Sequence, residues 1–368
     1  MIALFLLPAQ LKAQTLIIGS DETTSYDFPL ATCMGFNYSQ QIYTSDEMID
    51  AGATGPVLIT KISFMASPWN SSSSANYKDW VVYMGHTGVS GFTTASSWVP
   101  FASLTEVFNG ALPGTIDAGE WVELTLTTPF FWDGESNVVV AVDENTAGWY
   151  CSQDWVAYFT PETRSMVYNN DGTNPDPASP PASTWMDAMA PYIKFDYEDA
   201  EACEDVAFAV GTISGSDVCP DVAFAVVNSG TMLATGVTRE WQQRVPSGTG
   251  EWVTIEGVGS INYTNTDGIT EATDYRCIVT CDATGETDTT NEITIDLTPV
   301  AECYCEPVLA WGCDWEVTIN DVFTAGAVTD FSNMSTGCTG GYEDYSEDYE
   351  ASAVQFFYVY GKCDDHQY

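Results

Sequence analysis

Between Cys219 and Cys281 the chain carries a cysteine, a tryptophan at Trp241, and then the run Thr273-Asp274-Tyr275-Arg276-Cys277. Few folds use a widely spaced cysteine pair, an intervening tryptophan and a tyrosine two residues before the second cysteine. The pattern suits two antiparallel sheets packed face to face, with a disulfide joining them, the indole against it, and the phenol anchoring a corner. None of these groups is catalytic. The surrounding segments read as strands: Val222–Val227, Arg239–Arg244, Trp252–Ile255, Tyr275–Thr280 and Glu292–Leu297.

Cysteine usage extends the argument. The chain has eleven cysteines but two histidines, His86 and His366, so ligand sets for zinc are scarce. Cys303-Tyr304-Cys305 is also too tight for a standard zinc pair. Disulfides are the better account, and they place the protein in an oxidising compartment. Cys219–Cys277 is the expected bridge between the sheets, with Cys203 and Cys281 as a second pair, one of the three connectivities that four cysteines allow. Cys33 and Cys151 either pair or stay free. At the N-terminus, Ile2-Ala3-Leu4-Phe5-Leu6-Leu7 followed by Leu11-Lys12-Ala13 reads as a secretory signal over residues 1–14, with cleavage expected after Ala13.

Charge excludes some partners. Nine basic residues stand against 52 acidic ones, a formal net charge of -43. Nucleic acid and anionic membrane surfaces need a basic patch, so neither is expected as a partner. No run approaches the apolar length of a membrane span, so membrane insertion is not expected either. A chain that is 45% hydrophobic and 13% aromatic can still bury cores, and the acidity does not imply disorder.

Patterning along the chain is all-β, as tandem antiparallel sandwiches. Residues 15–198 read as short strands broken by Gly, Pro, Asn and Ser, a jelly-roll-like sandwich. Its candidate strands are Val57–Phe64, Trp80–Met84, Trp121–Thr127, Asn137–Val142 and Tyr192–Tyr197, with a helical turn near Ser45–Ala51. Val122-Glu123-Leu124-Thr125-Leu126 alternates as a half-buried strand does, while Asn137–Val142 is a continuous apolar run expected at a sheet centre. An acidic joint, Glu198-Asp199-Ala200-Glu201, opens an immunoglobulin-like sandwich over residues 199–300. Residues 301–368 read as a partial, truncated β domain, rich in cysteine and acid.

The candidate chemistry is that of binding. No Gly-x-Ser-x-Gly elbow or His-Glu-x-x-His motif is present, and His86 reads as a packed or turn-capping residue. Calcium wants six to eight oxygens, often from one turn. Asn169, Asp171 and Asp176 lie on one Gly-containing loop, and Asp143 follows the apolar strand at a loop mouth; these are the candidate calcium ligands. Trp69, Trp98, Trp132, Trp149, Trp155 and Trp185 sit in or beside loops of the first sandwich. Of these, Trp132, Trp149 and Trp155 are the candidate sugar-stacking residues.

Three resemblances join this reading. Tyr38-Ser39-Gln40-Gln41-Ile42-Tyr43-Thr44, Trp80–Thr87 and Asn137–Asn145 are similar to a β-sandwich recurrent in secreted proteins of Bacteroidota. Glu240-Trp241-Gln242 and Tyr275–Cys281 resemble adhesin-type Ig-like repeats of the same group. Tyr304-Cys305-Glu306-Pro307, Ile319-Asn320-Asp321-Val322 and Ser335–Ser346 resemble the beginning of a GEVED domain. Together they imply a secreted or surface-attached, non-catalytic protein that binds an extracellular glycan or protein. The alternative is the non-catalytic front of a longer secreted protease or polysaccharide-degrading enzyme.

Overall fold

The computed structural model describes residues 14–69, 79–112, 115–148 and 154–299, with Cys303, Val322–Phe323 and Ser332–Asn333. The chain divides into two compact units, residues 1–297 and 298–368. Among the described residues the protein is an all-β fold of antiparallel sheets. In the second unit, Val322–Phe323 pairs with Ser332–Asn333. Most residues quoted for the GEVED resemblance lie outside the described ones.

The first unit holds two sandwiches, one with a core built from residues between Leu16 and Tyr197 and the other with a core built from residues between Cys203 and Ile295. The first sandwich comprises β1 (Gln14–Ile18), β2 (Thr23–Ser25), β3 (Phe36–Tyr43), β4 (Val57–Met65), β5 (Trp80–Thr87), β6 (Leu104–Gly110), β7 (Trp121–Trp132), β8 (Asn137–Glu144), β9 (Trp155–Phe159), β10 (Ser165–Asn170), β11 (Trp185–Asp187), β12 (Met189–Pro191) and β13 (Ile193–Asp199). A four-stranded sheet, β1-β13-β4-β7, faces a six-stranded sheet, β11-β10-β3-β8-β5-β6, and β12-β9-β2 forms a small third sheet. The core between them includes Leu16, Phe64, Trp80, Trp132, Trp155 and Phe195.

Local rules account for the elements. β7 buries Val122, Leu124 and Leu126 and exposes the residues between, as alternation requires when one face is wet. β8 is buried on both faces because Val138, Val140 and Val142 meet the inter-sheet core while Val139 and Ala141 lie under loop residues such as Trp98 and Leu104. The expected helical turn is α1 (Ser45–Asp50), opened by a capping box in which Thr44 and Glu47 satisfy each other's backbone N–H groups. Glu47 also takes Arg164 at 2.6 Å and the Tyr158 hydroxyl at 2.9 Å.

The second sandwich comprises β14 (Val210–Ser214), β15 (Phe224–Thr231), β16 (Val237–Arg244), β17 (Trp252–Thr254), β18 (Tyr263–Asn265), β19 (Thr273–Cys281), β20 (Thr287–Thr289) and β21 (Ile293–Ile295). Sheet β14-β15-β18 packs against β17-β16-β19-β20, with β21 also on β19. Trp241 and Tyr275 are wholly buried in its core. Tyr275 packs on Phe224 and Tyr263, and the neighbouring turn is held instead by Asp274. That carboxylate accepts from Ser247 at 2.6 Å, the Gly248 N–H at 2.8 Å, Thr294 at 2.7 Å and Arg244 Nε at 2.7 Å.

The disulfide expectation divides. Cys203 and Cys281 are bridged, their Cα atoms 5.6 Å apart. Cys219 and Cys277 are not: Cys277 is a free buried thiol, while Cys219 is bonded to another cysteine. Cys277 sits mid-strand directly across from Trp241 on the adjacent strand of the same sheet, and it is Cys281, at the strand end, that reaches the neighbouring segment. Cys303 and Cys33 are also disulfide-bonded, and Cys151 lies outside the described residues.

Candidate functional site

Strand alternation sorts the six-stranded sheet into an inner face toward the core and an outer face under two loops. Register places Tyr168, Tyr38, Asp143 and Val81 side by side on the outer face, with Gln40, Ala141 and Tyr83 in the next row. Trp98, Phe101 and Leu104 pack over these residues. Trp98 lies 5.2 Å from Tyr38, and its Nε1 donates to Pro181 O at 2.9 Å. Gln40 fastens the covering loop, since its amide donates to Val99 O at 3.0 Å and accepts from Val99 N at 2.8 Å.

Above this face opens a cleft of about 480 Å³, lined by Trp98, Val99, Phe101, Pro177, Ala178 and Pro180. Two half-buried aromatic side chains and three prolines, Pro100, Pro177 and Pro180, make its wall apolar. Acid lies beneath and beside it. Asp143 sits next to Tyr38 on the sheet, and Asp176 immediately precedes Pro177 on the opposite wall. Burial pushes the Asp143 carboxyl up to about 6, opposed by a hydrogen bond from Asn145 and reinforced by Asp79 and Asp176. Burial likewise lifts the Tyr83 phenol to about 12, helped by Asp143, Glu106 and Asp176.

The two loops that the sequence offered separately meet here. Asn145 donates to Asp143 Oδ2 at 2.8 Å and accepts from the Asn174 amide at 2.5 Å. The candidate calcium ligands Asp171 and Asn169 are placed elsewhere. Asp171 Oδ1 accepts the Gly35 N–H at 3.0 Å. Asn169 is a strand residue opposite Asn37, so it belongs to the inner face and is turned away from Asp143. Asn170, on the same loop, caps the turn by accepting from Gly172 and Thr173. Among the described residues, the Asp, Glu, His and Cys groups close enough for three to share a metal are Cys203, Glu204 and Cys281, and both sulfurs there are consumed in a disulfide.

Two of the three expected stacking residues are core. Trp132 and Trp155 are 0% exposed, and neither ring can present a face to a ligand. Trp132 fills the space between the sheets, and Trp155 packs on Phe64 and Trp80 at 6.2 and 6.1 Å. Trp149 lies outside the described residues. Exposed indoles occur instead at Trp69, 86% exposed, and Trp185, 54% exposed. Trp98 is the tryptophan that lines the cleft, and its signal in the sequence was its place among the loop tryptophans.

Glu144, beside Asp143, is also pushed up, to about 7, chiefly by burial against hydrogen bonds from Thr146. Two neighbouring carboxyls with raised values have the look of an acid–base pair. Alternation separates them: Asp143 faces outward beside Tyr38 and Val81, while Glu144 lines up with Trp80 on the inner face. They cannot flank one bond.

His86 is packed, its ring 4.9 Å from Phe130 and Nε2 4.0 Å from Asp133 Oδ2. That carboxylate closes the β7–β8 turn through Ser136 N at 2.8 Å and Ser136 Oγ at 2.7 Å.

No protein-family model matches the chain, and no curated protein does. Among solved structures, the chain aligns with a beta-1,2-glucanase from Parabacteroides distasonis at 9% identity and TM-score 0.21, over 72% of this chain and 31% of the enzyme. It aligns with the FN1–FN3 domains of chicken CNTN1 at 13% identity and TM-score 0.18, over 61% of this chain and 57% of that one. Likeness at this level carries no argument about function.

Proposed function

We infer that the chain is a non-catalytic binding protein of an extracellular setting, and that the cleft on the outer face of the six-stranded sheet takes a glycan. The observation that carries this reading is the cleft itself, with Trp98 and Phe101 in its wall among loop residues that pack over the outer face of the sheet. Sugar rings offer an apolar face to an aromatic side chain, so an aromatic, proline-rich wall of this kind suits them. The opposed orientations of Asp143 and Glu144 speak for binding rather than glycoside hydrolysis, which needs two carboxyls across the scissile bond. The Cys203–Cys281 bridge accords with an oxidising compartment.

The test is a glycan array followed by calorimetry with wild type and Trp98→Ala. Binding to a defined glycan, weakened about tenfold by Trp98→Ala, is the expected result. Silence across the array removes the glycan reading, and full binding by Trp98→Ala moves the site elsewhere.

A further inference from the structure

We propose that the second sandwich positions the cleft: its sheet β14-β15-β18 braces the segment 88–103, which forms one wall. The segment touches that sheet at both ends. At its start the Gly88 N–H donates to Thr264 Oγ1 on β18 at 3.1 Å. At its end the 3₁₀ turn Phe101–Ser103 lies against β15. β15 and β18 are paired, with Ala225 opposite Thr264, so one sheet meets both ends. Trp98, Val99, Pro100 and Phe101, in the same segment, line the cleft.

The two sandwiches approach too closely for a loose tether. A Cβ on Gly88 would stand 2.8 Å from Thr264 Cβ, and one on Gly259 would stand 2.7 Å from Glu135 Oε2. Neither glycine has a positive φ, so what each supplies is space rather than backbone freedom. One glycine lies on each side of the junction, so each sandwich gives up a side chain to admit the other. Inside this rim, buried Asp133 accepts the N–H of buried Ile261. Hydrogen bonds are directional, whereas apolar contact is not, so these bonds set one placement of the second sandwich on the first.

The first sandwich holds the middle of the segment, where Gln40 fastens Val99. The second adds a hold at its ends, so that Trp98 and Phe101 stand in place before a ligand arrives. A wall ordered in advance loses less entropy on binding. That benefit to affinity rests on the glycan reading, whereas the brace itself is measured without any glycan.

The test is hydrogen–deuterium exchange of the full chain, read by mass spectrometry. Thr264→Val removes the acceptor and keeps the shape of the side chain; Gly88→Ala drives a methyl into the junction. In both, amides of residues 98–103 should exchange about threefold faster or more, the scale of one lost hydrogen bond. Ile295→Val trims the second core without altering the junction residues, and it should leave those amides at the wild-type rate. Thr264→Val keeps the test decisive even if Gly88→Ala folds poorly. Wild-type rates at 98–103 in the junction variants overturn the proposal. So does equal acceleration in Ile295→Val, which would mark a general loss of stability. On a glycan that binds wild type, the junction variants should bind about threefold more weakly or worse, although neither alters a lining residue. Unchanged affinity in both overturns the positioning role. If no glycan binds, the glycan reading falls and the exchange rates still decide the brace.

Discussion

The carboxylate of Asp133 accepts the backbone N–H of Ile261 at 3.1 Å, and this bond joins the two sandwiches. Around it, the Gly259 N–H donates to Glu135 at 3.1 Å and the Gly88 N–H to Thr264 Oγ1 at 3.1 Å. Asp133 therefore closes its own turn and docks the second sandwich with the same two oxygens.

Asp133→Ala should cost about 2–4 kcal/mol, because it strips charge-assisted bonds and strands the donors of Ser136 and Ile261. Urea unfolding followed by tryptophan fluorescence measures it. A loss below about 0.5 kcal/mol, the range of an ordinary surface change, would show that the junction does not depend on this residue.

The junction should also respond to acid. Burial holds His86 below its ordinary range, with Asp133 opposing and Arg239 adding to the effect. Burial works against the Asp133 charge, but His86 and the hydrogen bonds from Ser136 and Ile261 outweigh it, and the group stays below its usual range. Unfolded His86 takes up a proton below about pH 6.5 and unfolded Asp133 below about pH 3.9, each before its folded counterpart. Stability from both is present above those values and is lost as pH falls through them. Acid also relieves the repulsion of a chain at -43, so the useful quantity is the Tm difference between wild type and His86→Gln. That difference should shrink between pH 7 and 5; a constant difference would refute the assignment to His86.

Asp274 makes a second buried charge cluster. Burial disfavours its charge, but Ser247, Thr294, Gly248 and Arg244 bring its pKa down to about 2. Asp274→Asn should destabilise the protein by about 3–5 kcal/mol, since Arg244 loses a partner at 2.6 Å and the turn loses its anchor. Its stabilising share is present above about pH 4 and fades toward about pH 2. Equal stability of wild type and variant at pH 7 would remove this account.

Cysteine chemistry separates the bridged thiols from the buried one. Opening Cys203–Cys281 should cost about 2–4 kcal/mol, because it closes a long loop. Cys277 is pushed up to about 12 by burial, so it should resist alkylation in the native state and react once the chain unfolds. Mass spectrometry of peptides labelled with iodoacetamide, with and without urea, reads this directly. Rapid labelling of Cys277 in native protein would contradict the burial.

The tryptophans should divide by function. Trp155→Ala should lower stability by about 3–5 kcal/mol through a core cavity. Trp98→Ala, at a half-buried ring, should cost less stability than that and act on binding. A binding defect in Trp155→Ala at full stability would reverse the assignment.

What the sequence by itself determined is local. Alternation in Val122–Leu126, the apolar run at Asn137–Val142 and the helical turn near Ser45–Ala51 each depend on a few neighbouring residues, and all three are realised in the structure. β3 shows the limit. Its residues Asn37, Ser39, Gln40 and Gln41 are polar, yet all are buried, because the strand lies between β10 and β8 and under a loop. No hydrophobic period announces such a strand. Which cysteine reaches which, whether a loop tryptophan is core or wall, and whether Asn145 meets Asn174 are likewise decided by contacts between distant segments. Composition supplied the means for a disulfide and an aromatic wall; sheet register alone set Asp143 outward, Glu144 inward, and Cys277 out of reach of a partner.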